Sequence, residues 1–338
     1  MCSARRDLHH ETCRAPADHQ SRIRVLHPSR ILAVLSKVEE RAVEFDEYQA
    51  LALGTDQTPG NDERALVVPL LGLASEVGDI VTQYKKRLRD GEAHDLFGHR
   101  ILEELGDALW YIANIASKLN VSLDEVAVSN LAKTQDRWPR ADQTSKIYRL
   151  LDASDPVAEQ LPRRFGVEFS HDLTSGEVRL SRAGSSEPYG NVLTDRNVAD
   201  DGYRFHDVFH LSYCAVLGWS PVARKFLDCR RDSQPEKRSI QDGGRAIVIE
   251  EAIAALVFDY ARKEHYLENV HALDFTLLTT IKSLTDHLEV RNLTAREWEQ
   301  AILSGYRVWR LLRQHGGGIA EVDLLARTIA YVPSDRGD

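Results

Sequence analysis

The sequence predicts a mainly α-helical protein, in which an N-terminal four-helix bundle is followed by a second, mostly helical domain with a small β-hairpin. Three observations support this fold class. Apolar residues recur at intervals of three and four over most of the chain. At 338 residues, the chain is long enough for two domains with a core each. The period changes to that of strands only near residues 165–180, on either side of a Ser-Gly turn.

The expected domain boundaries follow from composition. Residues 1–25 are polar, lack periodicity and are expected to be disordered. The bundle is expected over residues 29–140, and the second domain over residues 164–338. Residues 141–163, which contain two prolines, are expected to link the two domains.

Composition also limits the function classes. The net charge of −9 argues against a general affinity for nucleic acid, but not against a nucleotide substrate whose phosphates pair with metal ions. No uninterrupted run of 18 apolar residues occurs, so no membrane span is expected. The N-terminus has no secretory signal, and the four cysteines have no paired metal-ligand spacing. A reducing, cytoplasmic location is therefore expected.

The first two helices of the bundle end at clear signals. The first helix is expected from Ser29 to Gly54, where a polar loop begins. The second is expected to begin near Pro69 or a few residues earlier and to end in the basic segment 85–89, because cations near a helix C-terminus suit its dipole. Its apolar residues are expected to form a buried stripe: Leu70, Leu73, Val77, Ile80, Val81 and Tyr84.

The third and fourth helices complete the predicted bundle. Helical periodicity indicates a third helix from about Gly98 to Leu119. The fourth opens with a capping box that begins at Ser122 and runs to Trp138, where Pro139 ends it. Short connections between successive helices favour a bundle.

Two pairs of carboxylates mark the second and third helices. Glu76 and Asp79 are three residues apart, as are Glu104 and Asp107, and such residues share a helix face. One such pair is usually a solvated face. Two pairs on successive amphipathic helices instead predict a divalent-metal site, because four converging carboxylates need cations to stay ionised.

Polar and basic residues could cover phosphates near this site. Asn130, Lys133 and Arg137 follow one line of the fourth helix, and Lys86 lies beyond the acidic pair on the second. Such groups can bind phosphate oxygens. On its own, the line on the fourth helix would more often be a solvated face.

The segment from Phe45 to Trp138 resembles the MazG-like, all-α nucleoside triphosphate pyrophosphohydrolases. The matching residues, in chain order, are Tyr48-Gln49, Gly72 to Asp79, Glu103 to Tyr111, Asn130 to Lys133, and Arg137. The family's pattern is Glu-x-x-Glu followed by Glu-x-x-Asp, so this sequence departs from it at Asp79. The shorter side chain of Asp leaves the number of bound metals open.

The resemblance implies hydrolysis between the α and β phosphates, by a homodimer or higher homo-oligomer. Implied ligands of Mg²⁺, or of Mn²⁺ in its place, are Glu76, Asp79, Glu104 and Asp107. Expected substrate contacts are Gln49, Lys86, Asn130, Lys133 and Arg137. Glu76 and Glu104 are the expected catalytic residues, with Glu76 as the acceptor of a proton from the attacking water.

The second domain begins with the expected hairpin, whose turn is Ser175-Gly176. Helical periods then recur over five segments: 204–218, 244–265, 273–290, 295–314 and 319–330. This half of the chain resembles accessory domains that accompany MazG-like domains in longer proteins, a resemblance that implies no activity.

A second candidate metal site lies in this domain. His206 and His210 have the spacing at which two helical imidazoles share a metal, and Asp207, Glu250 and Glu251 could add carboxylates. The alternative is that both histidines are hydrogen-bonded residues of a packed helix.

Three functions therefore compete. The leading prediction is a Mg²⁺-dependent nucleotide pyrophosphohydrolase. A regulatory protein that senses nucleotide is the rival from another class, and a main catalytic centre around His206 and His210 is the third. The preferred base and sugar depend on the shape of the pocket, which no short motif indicates.

Overall fold

The computed structural model describes residues 42–139, 150–172, 174–185, 187–193 and 200–334. It divides the chain into two compact units, Met1–Ala127 and Val128–Asp338. The division falls inside the fourth predicted helix, upstream of the linker that the sequence indicated.

Several expectations fall outside the described residues. These are the disordered tail over 1–25, the first part of the helix expected from Ser29, and residues 140–149 of the expected linker. The remainder of that linker packs into the second unit. There, the Asp152 carboxylate accepts hydrogen bonds from the Leu161 amide at 2.7 Å and from the Arg224 guanidinium at 2.8 Å.

The structure confirms a helix at each of the four predicted positions, although the first begins only at Phe45, and the described residues 42–44 are not helical as predicted. The four helices are α1 (Phe45–Leu53), α2 (Glu63–Asp90), α3 (Phe97–Lys118) and α4 (Leu123–Arg137). At the start of α4, the Ser122 hydroxyl accepts from the Asp124 amide at 3.1 Å, as its capping role requires.

Helix α2 begins at Glu63, six residues before Pro69, whereas the sequence predicted a start near Pro69 or a few residues earlier. The Asp62 side chain accepts a hydrogen bond of 2.8 Å from the Ala65 amide and caps the helix. Pro69 therefore lies inside the helix.

The buried stripe predicted for α2 was wrong for the single chain. Val77 and Tyr84 are each 50% exposed, and Val81 is 62% exposed. The described core of the first unit is small and consists of Ala52, Ala113, Ala116 and Leu123, with Tyr48 and Trp110 packed against it. Helical periodicity identifies an apolar face, but it does not specify whether the same chain covers that face.

One helix of the described chain has the length and composition of a membrane span. It is the continuous helical segment Glu63–Ala93, with a mean hydropathy of 1.6 over its best 18-residue window, of which 11% is buried. The sequence prediction considered only uninterrupted apolar runs. It therefore did not identify this segment, whose apolar residues are interrupted by Glu76 and Asp79.

The second unit contains a five-stranded antiparallel sheet with the strand order β3-β2-β1-β4-β5. Its strands are β1 (Arg164–His171), β2 (Val178–Arg182), β3 (Pro188–Leu193), β4 (Gly317–Asp323) and β5 (Thr328–Val332). The predicted hairpin is confirmed as β1 and β2, whose register pairs Phe169 with Leu180. Gly176 in the turn has a φ of 71°, a conformation that glycine adopts without steric cost.

The second unit also contains six described α-helices. They are α5 (Asp207–Leu217), α6 (Pro221–Phe226), α7 (Pro235–Gln241), α8 (Gly244–Lys263), α9 (Phe275–Leu284) and α10 (Ala295–His315). Helices α5 and α10 meet through aromatic rings, with Phe209 stacked on Tyr306 at a centroid distance of 4.5 Å. Trp298 and Trp309 of α10 are fully buried in the same core.

The helix predicted over residues 319–330 was wrong, because these residues lie in β4 and β5. In β4, Gly318, Ala320 and Val322 are buried in alternation, which is the period of a strand. The segment is short, and short apolar runs do not distinguish a helix from a buried strand. The helix expected over 273–290 is also shorter, since α9 ends at Leu284.

Candidate active site

Three of the predicted metal ligands converge between α2 and α3. Glu76, Asp79 and Glu104 each offer one carboxylate oxygen, and the three oxygens lie within 4.8 Å of one another. Glu76 and Glu104 are partly buried, whereas Asp79 is exposed. The cluster is therefore accessible from solvent.

Asp107 lies outside this group of three, but its charge reaches the cluster. Burial raises the pKa of Glu76, and the negative charges of Asp107, Glu104 and Asp79 raise it further. Burial and the Asp107 charge also raise the pKa of Tyr48. The other three predicted carboxylates thus repel the charge on Glu76, and a divalent cation would relieve this repulsion.

Gln83 positions one carboxylate of the cluster. Its side-chain nitrogen Nε2 donates a hydrogen bond of 3.1 Å to Glu104 Oε1, and its Oε1 lies 3.2 Å from His94 Nε2. Gln83 is 8% exposed, so its amide is held between these partners. The sequence interpretation did not include Gln83 among the site residues. The available signal was its helical spacing from Glu76 and Asp79 on α2.

Gly72 of α2 lies close to the ring of Tyr111 on α3. A Cβ atom on Gly72 would lie 2.2 Å from Cζ of Tyr111, so a larger residue here would require this ring to move. The contact lies one turn before Glu76.

The predicted substrate contacts have different surroundings. Gln49 donates to Ser117 Oγ at 3.1 Å and to the Val121 carbonyl at 2.9 Å, and it accepts from the Leu123 amide at 2.7 Å. It therefore joins α1 to the connection between α3 and α4. Lys86 is partly buried on α2.

The other three predicted contacts belong to the second unit. Arg137 donates to the Leu273 carbonyl at 2.5 Å, and its guanidinium lies 3.7 Å from the Glu299 carboxylate. The Lys133 ammonium lies 5.5 Å from the centre of the Phe275 ring. Asn130 is exposed.

The structure also brings together the residues of the second candidate metal site. His206, His210 and Glu251 offer ligand atoms within 4.8 Å of one another. Glu250 is fully buried behind them, with Oε1 2.9 Å from His210 Nδ1. Burial lowers the pKa of His210, but the charges of Glu250 and Glu251 outweigh that effect and raise the pKa to about 10.

Comparisons with known proteins cover both units. Residues 69–141 match the family described as the MazG nucleotide pyrophosphohydrolase domain, and residues 146–335 match the MazG C-terminal domain. The Gene 37 protein of Mycobacterium phage L5 is 37% identical over 101 residues, which span 28% of this chain and 89% of that relative. No solved structure matches the chain.

Proposed function

Because the chain belongs to the MazG family and is a nucleoside triphosphate pyrophosphohydrolase, we propose that it cleaves its substrate between the α and β phosphates. The products are then a nucleoside monophosphate and pyrophosphate. The convergence of Glu76, Asp79 and Glu104 supports this reaction, because a carboxylate cluster open to solvent can hold divalent cations that bind the phosphates of the substrate.

The residues of the cluster fit a hard divalent cation. Three carboxylate oxygens within 4.8 Å are the donors that Mg²⁺ prefers, and Mn²⁺ accepts the same donors. We assign Glu76, Asp79 and Glu104 as the ligands and Asp107 as a further carboxylate beside them. When bound, the cation would neutralise phosphate charge and favour the attack of water on phosphorus.

Two residues have distinct roles in this proposal. Glu76 accepts the proton of the attacking water, as a partly buried carboxylate of α2 within the cluster. Glu104 is a ligand whose orientation depends on the hydrogen bond from Gln83. Asp79, the shortest and most exposed of the three carboxylates, completes the cluster.

We also propose polar and basic side chains that contact the nucleotide. Lys86, Asn130 and Lys133 have polar or positive groups that could bind phosphate oxygens. Gln49 and Arg137 already make the hydrogen bonds described above, so each must exchange a protein partner for the nucleotide if it contacts the substrate.

We also propose that a second copy of the chain covers the apolar face of α2. This face includes Leu71 and Val81, which are 67% and 62% exposed. A bilayer is a poor occupant, because the same helix carries Glu76 and Asp79, and each charge inside a membrane is costly. A homodimer or higher homo-oligomer buries the apolar residues and leaves the carboxylates available.

A cytoplasmic location agrees with this proposal. Nucleoside triphosphates are the substrate class, and Cys214 and Cys229 are free and buried in the second unit.

Turnover separates the enzyme from a nucleotide sensor. Pyrophosphate release is measured with Mg²⁺ over a panel of nucleoside triphosphates that vary in base and sugar. The proposal expects release with at least one substrate, and the panel identifies the preferred one. Binding of nucleotide without any release of pyrophosphate would support the sensor instead.

A further inference from the structure

A cluster of two histidines and a carboxylate lies in the second unit, whereas the carboxylates of α2 and α3 lie in the first. His206 directly precedes α5, His210 lies one turn later, and Glu251 projects from α8. One ligand atom from each residue lies within 4.8 Å of the other two. The two histidines are 6% and 0% exposed, so the protein has placed two imidazoles in its interior beside a carboxylate.

The orientation of His210 is set from behind by Glu250. Oε1 of Glu250 lies 2.9 Å from His210 Nδ1 and accepts from Ser220 Oγ at 2.6 Å. Its Oε2 accepts from the Val222 amide at 2.9 Å. Since both oxygens accept hydrogen bonds, Glu250 is held as a carboxylate and retains the proton of His210 on Nδ1.

The other nitrogen of His210 faces the cluster. His210 Nε2 is buried and makes no hydrogen bond with the residues that the structure describes. The nearest carboxylate oxygen, Oε2 of Glu251, lies 3.3 Å from it. A buried imidazole nitrogen aimed at two further ligand groups is an independent indication of a bound ion, because buried polar atoms otherwise have hydrogen-bond partners.

His206 has the same arrangement. Its Nδ1 lies 3.0 Å from the Tyr203 carbonyl, and its ring stacks on the Tyr203 ring at a centroid distance of 4.6 Å. Its Nε2 lies 3.4 Å from Oδ1 of Asp207. Both histidines therefore direct Nδ1 to an oxygen acceptor, which is the usual outer-sphere pattern of metal-bound histidine.

We propose that His206, His210 and Glu251 bind a divalent transition-metal ion through the two Nε2 atoms and one carboxylate oxygen. Two imidazole nitrogens favour zinc, iron, cobalt or nickel over Mg²⁺, which prefers oxygen ligands. The Glu251 side chain is 42% exposed, so an ion could reach the site from solvent.

The competing explanation is a purely structural one, in which His210 is a buried imidazolium that bridges Glu250 and Glu251. Both explanations agree that His210 and Glu250 stabilise the fold. They differ in whether a metal replaces the proton on Nε2, and therefore in metal content and in the spectrum of a bound cobalt ion.

The test uses the full-length protein, stripped with a chelator and then dialysed against Zn²⁺ or Co²⁺ in excess Mg²⁺. Excess Mg²⁺ competes for carboxylate sites elsewhere in the chain, and the ligand variants described below assign the retained ion to this cluster whether or not the proposed hydrolysis is correct. We expect retention of one zinc ion per chain, measured by mass spectrometry, and a visible Co²⁺ absorption that reports nitrogen ligation. Absence of retained zinc in the wild type would overturn the proposal.

Ligand and control variants locate the ion. Glu251→Gln and His206→Gln should each weaken zinc binding by about tenfold or more. Glu264→Gln and His287→Gln replace exposed residues of the same types and should retain zinc as the wild type does. If His206→Gln fails to fold, the half-exposed Glu251→Gln decides. Wild-type zinc affinity in a folded Glu251→Gln protein would contradict the assignment.

Discussion

Gln83 Nε2 donates a hydrogen bond of 3.1 Å to Oε1 of Glu104, so a buried residue of α2 holds a carboxylate of α3. The partner oxygen belongs to the cluster that we assign to the metal. Gln83 itself contacts no proposed substrate group, and it acts through the orientation of Glu104.

Replacement of this amide should weaken the site without removing a ligand. In Gln83→Leu, Glu104 loses its hydrogen-bond donor, and we expect the Mg²⁺ concentration for half-maximal activity to rise about tenfold or more. The measurement is pyrophosphate release against Mg²⁺ concentration. Gln57→Leu, at an exposed glutamine, is the control and should behave as the wild type. An unchanged Mg²⁺ requirement in Gln83→Leu would contradict the positioning role.

The carboxylate cluster should reduce stability when no cation is bound. Glu76 faces three other negative charges, so Glu76→Gln should raise the free energy of unfolding of the first unit, measured with urea in the presence of a chelator, by about 0.5 kcal/mol, and should raise the urea midpoint with it. With Mg²⁺ added, the wild type should become the more stable of the two, because it has all the ligands and therefore gains more stability from bound Mg²⁺. A lower midpoint for Glu76→Gln in both conditions would show that the residue mainly stabilises the fold.

A buried ion pair should make the first unit sensitive to acid. Lys118 Nζ lies 2.6 Å from Oδ2 of Asp56, and the two side chains are 3% and 5% exposed. Burial raises the pKa of Asp56, but the Lys118 hydrogen bond and charge and the Thr58 amide outweigh it and lower the pKa to about 2. A lowered carboxyl pKa contributes stability above the unfolded value, and this contribution disappears as the pH falls through the folded value.

Asp56→Asn tests this pair, because the amide resembles the protonated acid. At pH 7 the variant should be less stable than the wild type by about 2 kcal/mol. The difference should shrink below pH 4 and vanish near pH 2. Unfolding curves of both proteins over this range give the comparison, and a difference independent of pH would exclude the ion pair as its cause.

The exposed apolar face of α2 should mediate self-association. Val81→Glu places a charge at the centre of this face and should lower the molar mass in solution to that of a smaller assembly or a monomer. Light scattering after size-exclusion chromatography measures the mass. Val248→Glu is the control, because Val248 is 66% exposed in the second unit and lies outside this face. A monomeric wild type would contradict the proposed oligomer.

The sequence predicted the elements whose signals are local. Helices α3 and α4 have long periodic segments, and α4 has a clear cap. The three-residue spacing within each pair, Glu76 with Asp79 and Glu104 with Asp107, indicated a common helix face. The strand β4 was mistaken for a helix, because its pairing with β1 joins residues more than 140 positions apart. Gln83 was missed for a similar reason, since a neutral amide has a role only beside the carboxylate that it contacts.

In the second unit, too, the role of a residue depends on contacts with residues that are distant in the sequence. The spacing of His206 and His210 suggested a shared metal, but the role of Glu250 depends on Ser220 and Val222, which no sequence pattern connects. The exposure of the apolar face of α2 depends on what covers the face in the assembly, and a single sequence does not contain that information.

The most direct measurement of the central claim identifies the products of triphosphate hydrolysis by phosphorus NMR, in the presence of Mg²⁺. We compare the wild type with Glu104→Gln and with Glu103→Gln, which alters the neighbouring exposed carboxylate paired with Arg100. The account predicts nucleoside monophosphate and pyrophosphate from the wild type and Glu103→Gln, and a loss of at least about a hundredfold in rate for Glu104→Gln. Release of inorganic phosphate and nucleoside diphosphate, or full activity in Glu104→Gln, would contradict it.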